Sequence, residues 1–438
     1  MKFKNGQKLW VRAKKIIPGG SMLFSKRSEL FLPKFWPSYF KKSKGCEIWD
    51  LKGKKFTDVS LMGVGTNILG YGNKKVDNAV KKIIKLGNMS TLNCPEEVIL
   101  AEEMIKLNKW SDAVRFTRTG GEANSVAIRI ARAASNKEGV AVCGYHGWHD
   151  WYLAAKLKNK KNLDKHLMTG LLSQGVPKQL KNTIYTFEYN NINQLENLLK
   201  TKKNIGTIKL EVSRNFLPIN NFLIKVKNLS KKYNKILIFD ECSSGFRECL
   251  GGLHKKYKIN PDIAVYGKAL GNGYAINAIV GKKQVMKFCE KTFISSTFWT
   301  ERIGPSAALA TLEEMKRQKS WIYITKMGNF IKNRWREISN KYELEIAIQG
   351  LDSMANFYFK SKSNQILKTF ITQEMLKRGY LATNSIYVST AHSEKIVIKY
   401  LKELEKIFEF ISINKNKKNY IKSLIKGNIS QSGFVRLN

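Results

Sequence analysis

The chain has 438 residues, 43% of them apolar and 11% aromatic, with 8 Pro. This is a globular balance that excludes both a small module and a disordered chain. The net charge of +43 comes from lysine doublets that recur from KKII near residue 14 through KKYNK at 231 to KNKKNY at 415, interleaved with Asn and Ile. That spread is the pattern of a wetted surface and argues against a dedicated nucleic-acid or membrane partner; a basic polyanion-binding protein without catalysis is the alternative that the charge alone supports.

Cys46, Cys94, Cys143, Cys242, Cys249 and Cys289 show no CxxC spacing, so reduced thiols are expected and neither a disulfide framework nor a metal site. The opening MKFKNGQKLWVRAKKIIPGG has no apolar h-region, and no stretch approaches about 18 consecutive apolar residues, which predicts a cytoplasmic protein.

Residues 1–16 pattern as a helix, with Leu9, Trp10, Ala13 and Ile16 on one side, broken by Pro18-Gly19-Gly20. GCEIWDLKGKKFTDVS reads as a hairpin with its turn at KGK. From about residue 75, helices alternate with short apolar strands: 113–117, 139–145, 206–212, 235–241, 262–267 and 277–281. Continuous apolar runs in this alternation predict an α/β layer with a parallel sheet covered on both faces. After about 300 come a long helix, PSAALATLEEMKRQ, a mixed stretch around YELEIAIQG and closing helices over 395–411, α+β in style. The expected domains are 1–60 as the N-terminal part of a small domain, 61–300 as a large domain, and 301–438 as the C-terminal part of the small one.

Four segments carry candidate chemistry. RFTRTGGEANSVAIRIARAA runs from a strand through Thr119, Gly120 and Gly121 into a helix, the outline of a phosphate cradle at a helix N-terminus, although a tight strand-to-helix turn has the same outline. GYHGWHDW sets Tyr145, His146, Trp148 and His149 at a strand's C-terminal end, where an aromatic can stack on a planar ligand. KILIFDE ends a buried strand in Asp240 and Glu241, and a buried acid demands a cationic partner such as a protonated ring nitrogen. VYGKALGNGY places Lys268 one strand further on; desolvation there would lower its pKa and suit it to Schiff-base chemistry.

Cradle, aromatic, acid and lysine in that order resemble the class III aminotransferases, pyridoxal 5′-phosphate (PLP) enzymes of fold type I. The glutamate-1-semialdehyde aminomutase branch is the most similar. GGLHKKYKINPDIAVYGKALGNGY resembles the family's lysine motif and STFWTERIGPSAALATL its later phosphate-binding stretch, with similarity extending from IPGGSMLFSKR to SGFVRLN. The resemblance implies an α/β fold with a large, mostly parallel sheet domain and a smaller α+β domain built from both chain ends. It implies that Lys268 binds the cofactor aldehyde and shuttles a proton, and that Asp240 keeps the pyridine nitrogen protonated. Tyr145 would stack on the ring, and Thr119, Gly120 and Gly121 would bind the phosphate. Thr297 would complete the phosphate site of the neighbouring subunit in a homodimer with shared active sites. The partner is then a small-molecule amine or carbonyl compound.

Two departures bear on substrate. The strand that ends Glu-Pro in the family ends here in Glu211-Val212, and GGSMLFSKR puts Ser21, Ser25 and Arg27 in a different register from the aminomutase carboxylate grip, although Arg27 remains able to clamp an acid. Together they predict an aminotransferase acting on another substrate, such as a sugar or surface-polysaccharide precursor, with a true glutamate-1-semialdehyde 2,1-aminomutase as the alternative.

Overall fold

The apolar runs between Lys74 and Trp321 assemble into one seven-stranded sheet, the centre of the larger of two units. The computed structural model describes residues 5–166, 169–213, 215–417 and 419–433. In chain order the strands of this sheet are β1 (Ala113–Thr117), β2 (Gly139–Cys143), β3 (Ile184–Thr186), β4 (Ile205–Glu211), β5 (Ile236–Glu241), β6 (Ile263–Tyr266) and β7 (Asn277–Gly281). Their order across the sheet is β1-β7-β6-β5-β4-β2-β3. β3 through β6 are joined by parallel ladders that include β2, while β7 runs against both of its neighbours, β1 and β6. The sheet is therefore mixed but mostly parallel, and β1 ends on the same side as β6.

Every residue of β2, β4 and β6 is buried, as the continuous apolar pattern requires of strands covered on both faces. Helix α1 (Gly120–Ser135) supplies part of that cover: Ala123, Val126, Ala127, Ile130 and Ala131 recur at helical spacing and join Val140, Val142, Ile238, Ile263 and Val265 in one core. Each Val or Ile so buried stabilises the unit by about 1.5–3 kcal/mol before entropy is counted. The strand-to-helix turn is fixed by a capping box in which the Thr119 hydroxyl accepts from the Glu122 N–H and Glu122 accepts from the Thr119 N–H.

The second unit joins residues up to Asn73 with those from Ile322 onward. Its four-stranded sheet holds Phe40–Lys44, Glu47–Asp50 and Lys55–Val59 as an antiparallel run, with Tyr380–Ala382 added in parallel so that Tyr380 faces Thr57. The hairpin turns at Lys52-Gly53-Lys54, where Asp50 accepts from the N–H groups of Lys52 and Lys54, both at 2.9 Å. Phe31, Leu32, Trp36, Phe56 and Leu381 pack together beside it. A separate antiparallel sheet contains Ile346–Gln349, Met354–Phe359 and Ser385–Tyr387. The chain passes between units at 73/74 and 321/322, so residues 61–73 and the helix Ile303–Gln318 fall on the other side of the boundaries expected at 60/61 and 300/301. The first residues of the expected opening helix and most of SGFVRLN lie outside the described residues; the helix described there is Gly6–Ile16.

His392, just before the second unit's long helix Glu394–Asn414, ties the start of that helix to its first sheet. Its Nδ1 accepts from the Ser389 N–H at 3.1 Å, so Nε2–H is the donor to the Asp58 carbonyl at 2.7 Å, a pairing only the neutral ring satisfies. Burial pushes its pKa down from 6.5 to about 4, opposed by the Asp58 hydrogen bond. The unfolded chain therefore takes up this proton first, and the stability that neutral His392 contributes is present above about pH 6.5 and lost as pH falls toward about 4. At full effect this is on the order of 3 kcal/mol. His392→Gln is expected to show a shallower fall in urea midpoint between pH 7 and pH 5 than the parent; an equal fall would assign the proton uptake elsewhere.

Candidate active site

The C-terminal ends of β1, β2, β4, β5 and β6 lie along one edge of the sheet, and the four segments that carry candidate chemistry emerge there from β1, β2, β5 and β6. In the ladders Glu211 pairs with Asp240, and Asp240 with Val265, three residues before Lys268. From the other direction Asn277 pairs with Thr117, two residues before Thr119, and Ala278 with Tyr266. Asp240, Lys268, Glu211, Tyr145 and the glycines of α1 are thus brought to one edge by the strand order, which is where open α/β sheets bind ligands.

Asp240 is 3% exposed. Its Oδ1 accepts from the Cys242 N–H at 3.1 Å, and its Oδ2 from His146 Nδ1 at 2.8 Å, with Lys209 Nζ at 3.9 Å. Burial alone would raise its pKa; the Lys209 charge and the His146 hydrogen bond outweigh it and hold the carboxyl well below the usual range. The sequence leaves Asp240 waiting for a cation, and the fold already supplies one. His146 is fully buried, and burial pushes its pKa down, countered by Asp240 and reinforced by Lys209. With its Nδ1 engaged by Asp240 this ring is a support for the carboxylate.

Lys268 is half-buried with a left-handed backbone, φ 41°, and its Nζ donates to Ser243 Oγ at 2.6 Å. The turn that carries it depends on Gly267: a Cβ there would lie 2.0 Å from Asn277 Nδ2 and 3.4 Å from Cys242 Sγ. Cys242 and Asn277 also flank Gly120, so the lysine loop and the start of α1 converge on the same two side chains. Gly120 and Gly121 precede the first intrahelical bond, Ala123 N–H to Thr119 carbonyl at 3.0 Å, and so present their N–H groups forward. The Thr119 hydroxyl serves first as helix cap. A Cβ on Gly121 would come within 2.9 Å of His149 Nε2, and His149 is itself held by Ser125 at 2.8 Å.

Tyr145 is half-buried, set edge-on to Tyr152 at 6.0 Å between ring centroids, and its N–H donates to Glu211 Oε2 at 3.0 Å. Thr297 is exposed at the start of a short turn, where its carbonyl accepts from Thr300 Oγ1 at 2.8 Å. Ser21 and Arg27 belong to the other unit: Ser21 Oγ bonds locally to Leu23, and the Arg27 guanidinium lies 5.1 Å from the Phe24 ring centre. Arg214, within the SRNFLP stretch, lies outside the described residues. Sequence reasoning passed over Ser243, Cys242, Asn277 and Lys209; of these only Lys209, a lone charge inside a buried apolar run, leaves a signal in the sequence.

An aminotransferase class-III family model matches residues 34–401. The chain belongs to that family. It is 29% identical over 412 residues to the 3-aminobutyryl-CoA aminotransferase of Cloacimonas acidaminovorans, covering 92% of this chain and 94% of the relative. It is 30% identical over 425 residues to the glutamate-1-semialdehyde 2,1-aminomutase of Nitrosopumilus maritimus, covering 91% and 97%. Among solved structures it superposes on the FumI protein of Sphingopyxis sp. MTA144 with a TM-score of 0.85 at 21% identity, covering 95% and 98%. The glutamate-1-semialdehyde aminomutase of Pseudomonas aeruginosa in complex with PMP gives 0.78 at 16%, covering 92% and 93%. These likenesses establish the PLP-transferase fold, and the chain is a PLP-dependent class III enzyme. The site fits that cofactor: an ionised carboxylate, a lysine in the turn after the next strand, and glycines where a side chain would fill the cradle.

Gly267→Ala is expected to lower stability by about 1–3 kcal/mol, because the buried Asn277 must give way to the new methyl. Urea unfolding reads this directly; an unchanged midpoint would mean that Asn277 swings aside without cost.

Proposed function

We propose that this enzyme transfers an amino group between separate molecules and that its substrate is a polar, hydroxyl-rich carbonyl or amine compound, such as a sugar or surface-polysaccharide precursor. The observation that carries this reading is a cavity of about 450 Å³ beside Glu211 and Gly144, lined by Lys165, His166, Glu188, Tyr189 and Asn215 among others. That size suits a ligand of more than a few heavy atoms. The lining sets hydrogen-bonding side chains around the aromatic rings of Tyr189 and Phe216, the recognition chemistry of hydroxyl groups. His166 is pushed down to about 4, by burial first, so it faces the cavity as a neutral ring.

PLP supplies an aldehyde for the substrate amine and a ring that takes up the electron pair left when the neighbouring carbon loses its proton. Lys268 is the acid/base: its Nζ takes that proton and returns it, with Ser243 Oγ at 2.6 Å to orient the amine. Asp240 holds a proton on the ring nitrogen, Tyr145 packs against the ring, and Thr119, Gly120 and Gly121 hold the phosphate at the start of α1. Thr297 serves the site of a second subunit; its exposure, with Phe293 at 85% and Phe298 at 70% exposed beside it, supports a surface that pairs with another copy. Glu211 borders the substrate.

The second reading is a glutamate-1-semialdehyde 2,1-aminomutase, favoured by the relatives that carry this name at 28–30% identity. A half-reaction screen separates the two. The PLP form is mixed with amino sugars, amino acids and glutamate-1-semialdehyde, and conversion to the pyridoxamine form is followed by absorbance. The proposal expects conversion by amino sugars or their nucleotide-linked forms; rearrangement of glutamate-1-semialdehyde with no other amine turned over would replace it with the second reading. Asn215→Ala is expected to raise KM for the preferred polar substrate roughly 5–10-fold with kcat nearly unchanged, the loss of one hydrogen bond. Lys268→Ala is expected to lower turnover by several orders of magnitude while unfolding as the parent does; retained turnover would remove Lys268 from its role.

A further inference from the structure

Lys209 lies in β4, two residues before Glu211 and on the same face. Its side chain is 0% exposed, in a strand whose other residues are Ile, Gly, Thr, Leu and Glu. An ammonium carried into a sheet interior is costly without a counter-charge, so packing does not account for it. The counter-charge is Asp240, whose Oδ2 lies 3.9 Å from Nζ, an ion-pair distance beyond hydrogen-bonding range. The two carboxylate oxygens are meanwhile held by the Cys242 N–H and by His146. The charged and titratable groups around this carboxylate are therefore Lys209 and Glu211 from β4, His146 from the loop after β2, and Cys242 at the end of β5, with Lys268 acting on Cys242 from beyond β6.

We infer that Lys209 is a positioning residue that tunes the cofactor: a fixed buried cation behind Asp240 that shares the carboxylate's charge and so weakens its hold on the proton of the ring nitrogen. This rests on the reading that Asp240 faces that nitrogen. In an ordinary arrangement the carboxylate's whole charge is offered to the ring. Here part of it is already balanced, so the proton leaves the ring nitrogen at lower pH and the ring's capacity to take up electrons is set by β4 as well as by β5. Burial lowers the pKa of Lys209, and the Asp240 charge beside it opposes that shift.

The test is to reconstitute the parent, Lys209→Met and Lys209→Arg with PLP labelled with nitrogen-15 in the ring and to follow the ring-nitrogen signal against pH. Lys209→Met is expected to hold the ring proton to a pH higher by about one unit or more, roughly tenfold in proton affinity. Lys209→Arg, which keeps the charge, is expected to return toward the parent. Identical titrations in the parent and Lys209→Met, or protonated signals in both throughout, would overturn the inference. Asp240→Asn serves as the control on the underlying reading: if it leaves the ring-nitrogen signal of the parent unchanged, Asp240 does not face the ring, and that reading fails separately. Should Lys209→Met not fold, Lys209→Gln, which keeps a polar end without the charge, is read by the same criteria.

Discussion

An ionised carboxylate buried at the edge of a sheet is the constraint around which the larger unit is arranged. Asp240 is almost wholly removed from water, and an isolated charge in that position would protonate rather than persist. It persists because β4, lying beside β5, contributes Lys209, and because the loop after β2 returns His146 to the same carboxylate oxygen. Parallel pairing is what makes this possible: successive strands deliver their C-terminal residues to one side, so groups far apart in sequence become neighbours without long excursions of the chain. The lysine and the glycines gather at the same edge for the same reason.

The motif residues were legible because each ends or follows a strong strand, and strands with every position apolar announce both their length and their burial. KILIFDE and VYGKALGNGY stand one strand apart, which allows them one cleft, whereas their grouping with RFTRTGGEAN is what the family resemblance implies. The partners of those residues were not legible. His146 reaches Asp240 across 94 residues and Ser243 reaches Lys268 across 25, contacts that depend on strand order rather than on any local pattern. Short elements were equally silent: Ile184–Thr186 and Tyr380–Ala382 span too few residues for a period to register, and both are defined by the ladders they join. Asp240 was read as an acid in search of a cation because a single lysine among apolar residues looked like part of a strand, when it was the cation itself.

The division between what is common to the family and what belongs to this chain follows the same line. The sheet edge gathers Asp240 and Lys268, whereas the loops after β2, β3 and β4 line the cavity beside Glu211. Val212 leaves the backbone after Glu211 without the fixed φ that a proline imposes.

The parallel pairing of Tyr380–Ala382 with Lys55–Val59 has a consequence for how the protein is made. All seven strands of the large sheet lie in one contiguous stretch, Lys74–Trp321, and can assemble while the chain is still emerging. The hairpin made before them cannot gain its fourth strand until residue 382 has been synthesised. Its partner arrives last, across a separation of more than 300 residues, with the loop-closure entropy reduced by whatever folded structure already bridges the gap. This early hairpin is thus among the last elements to be completed, and during that interval its exposed strand edge is where association with the wrong partner would begin.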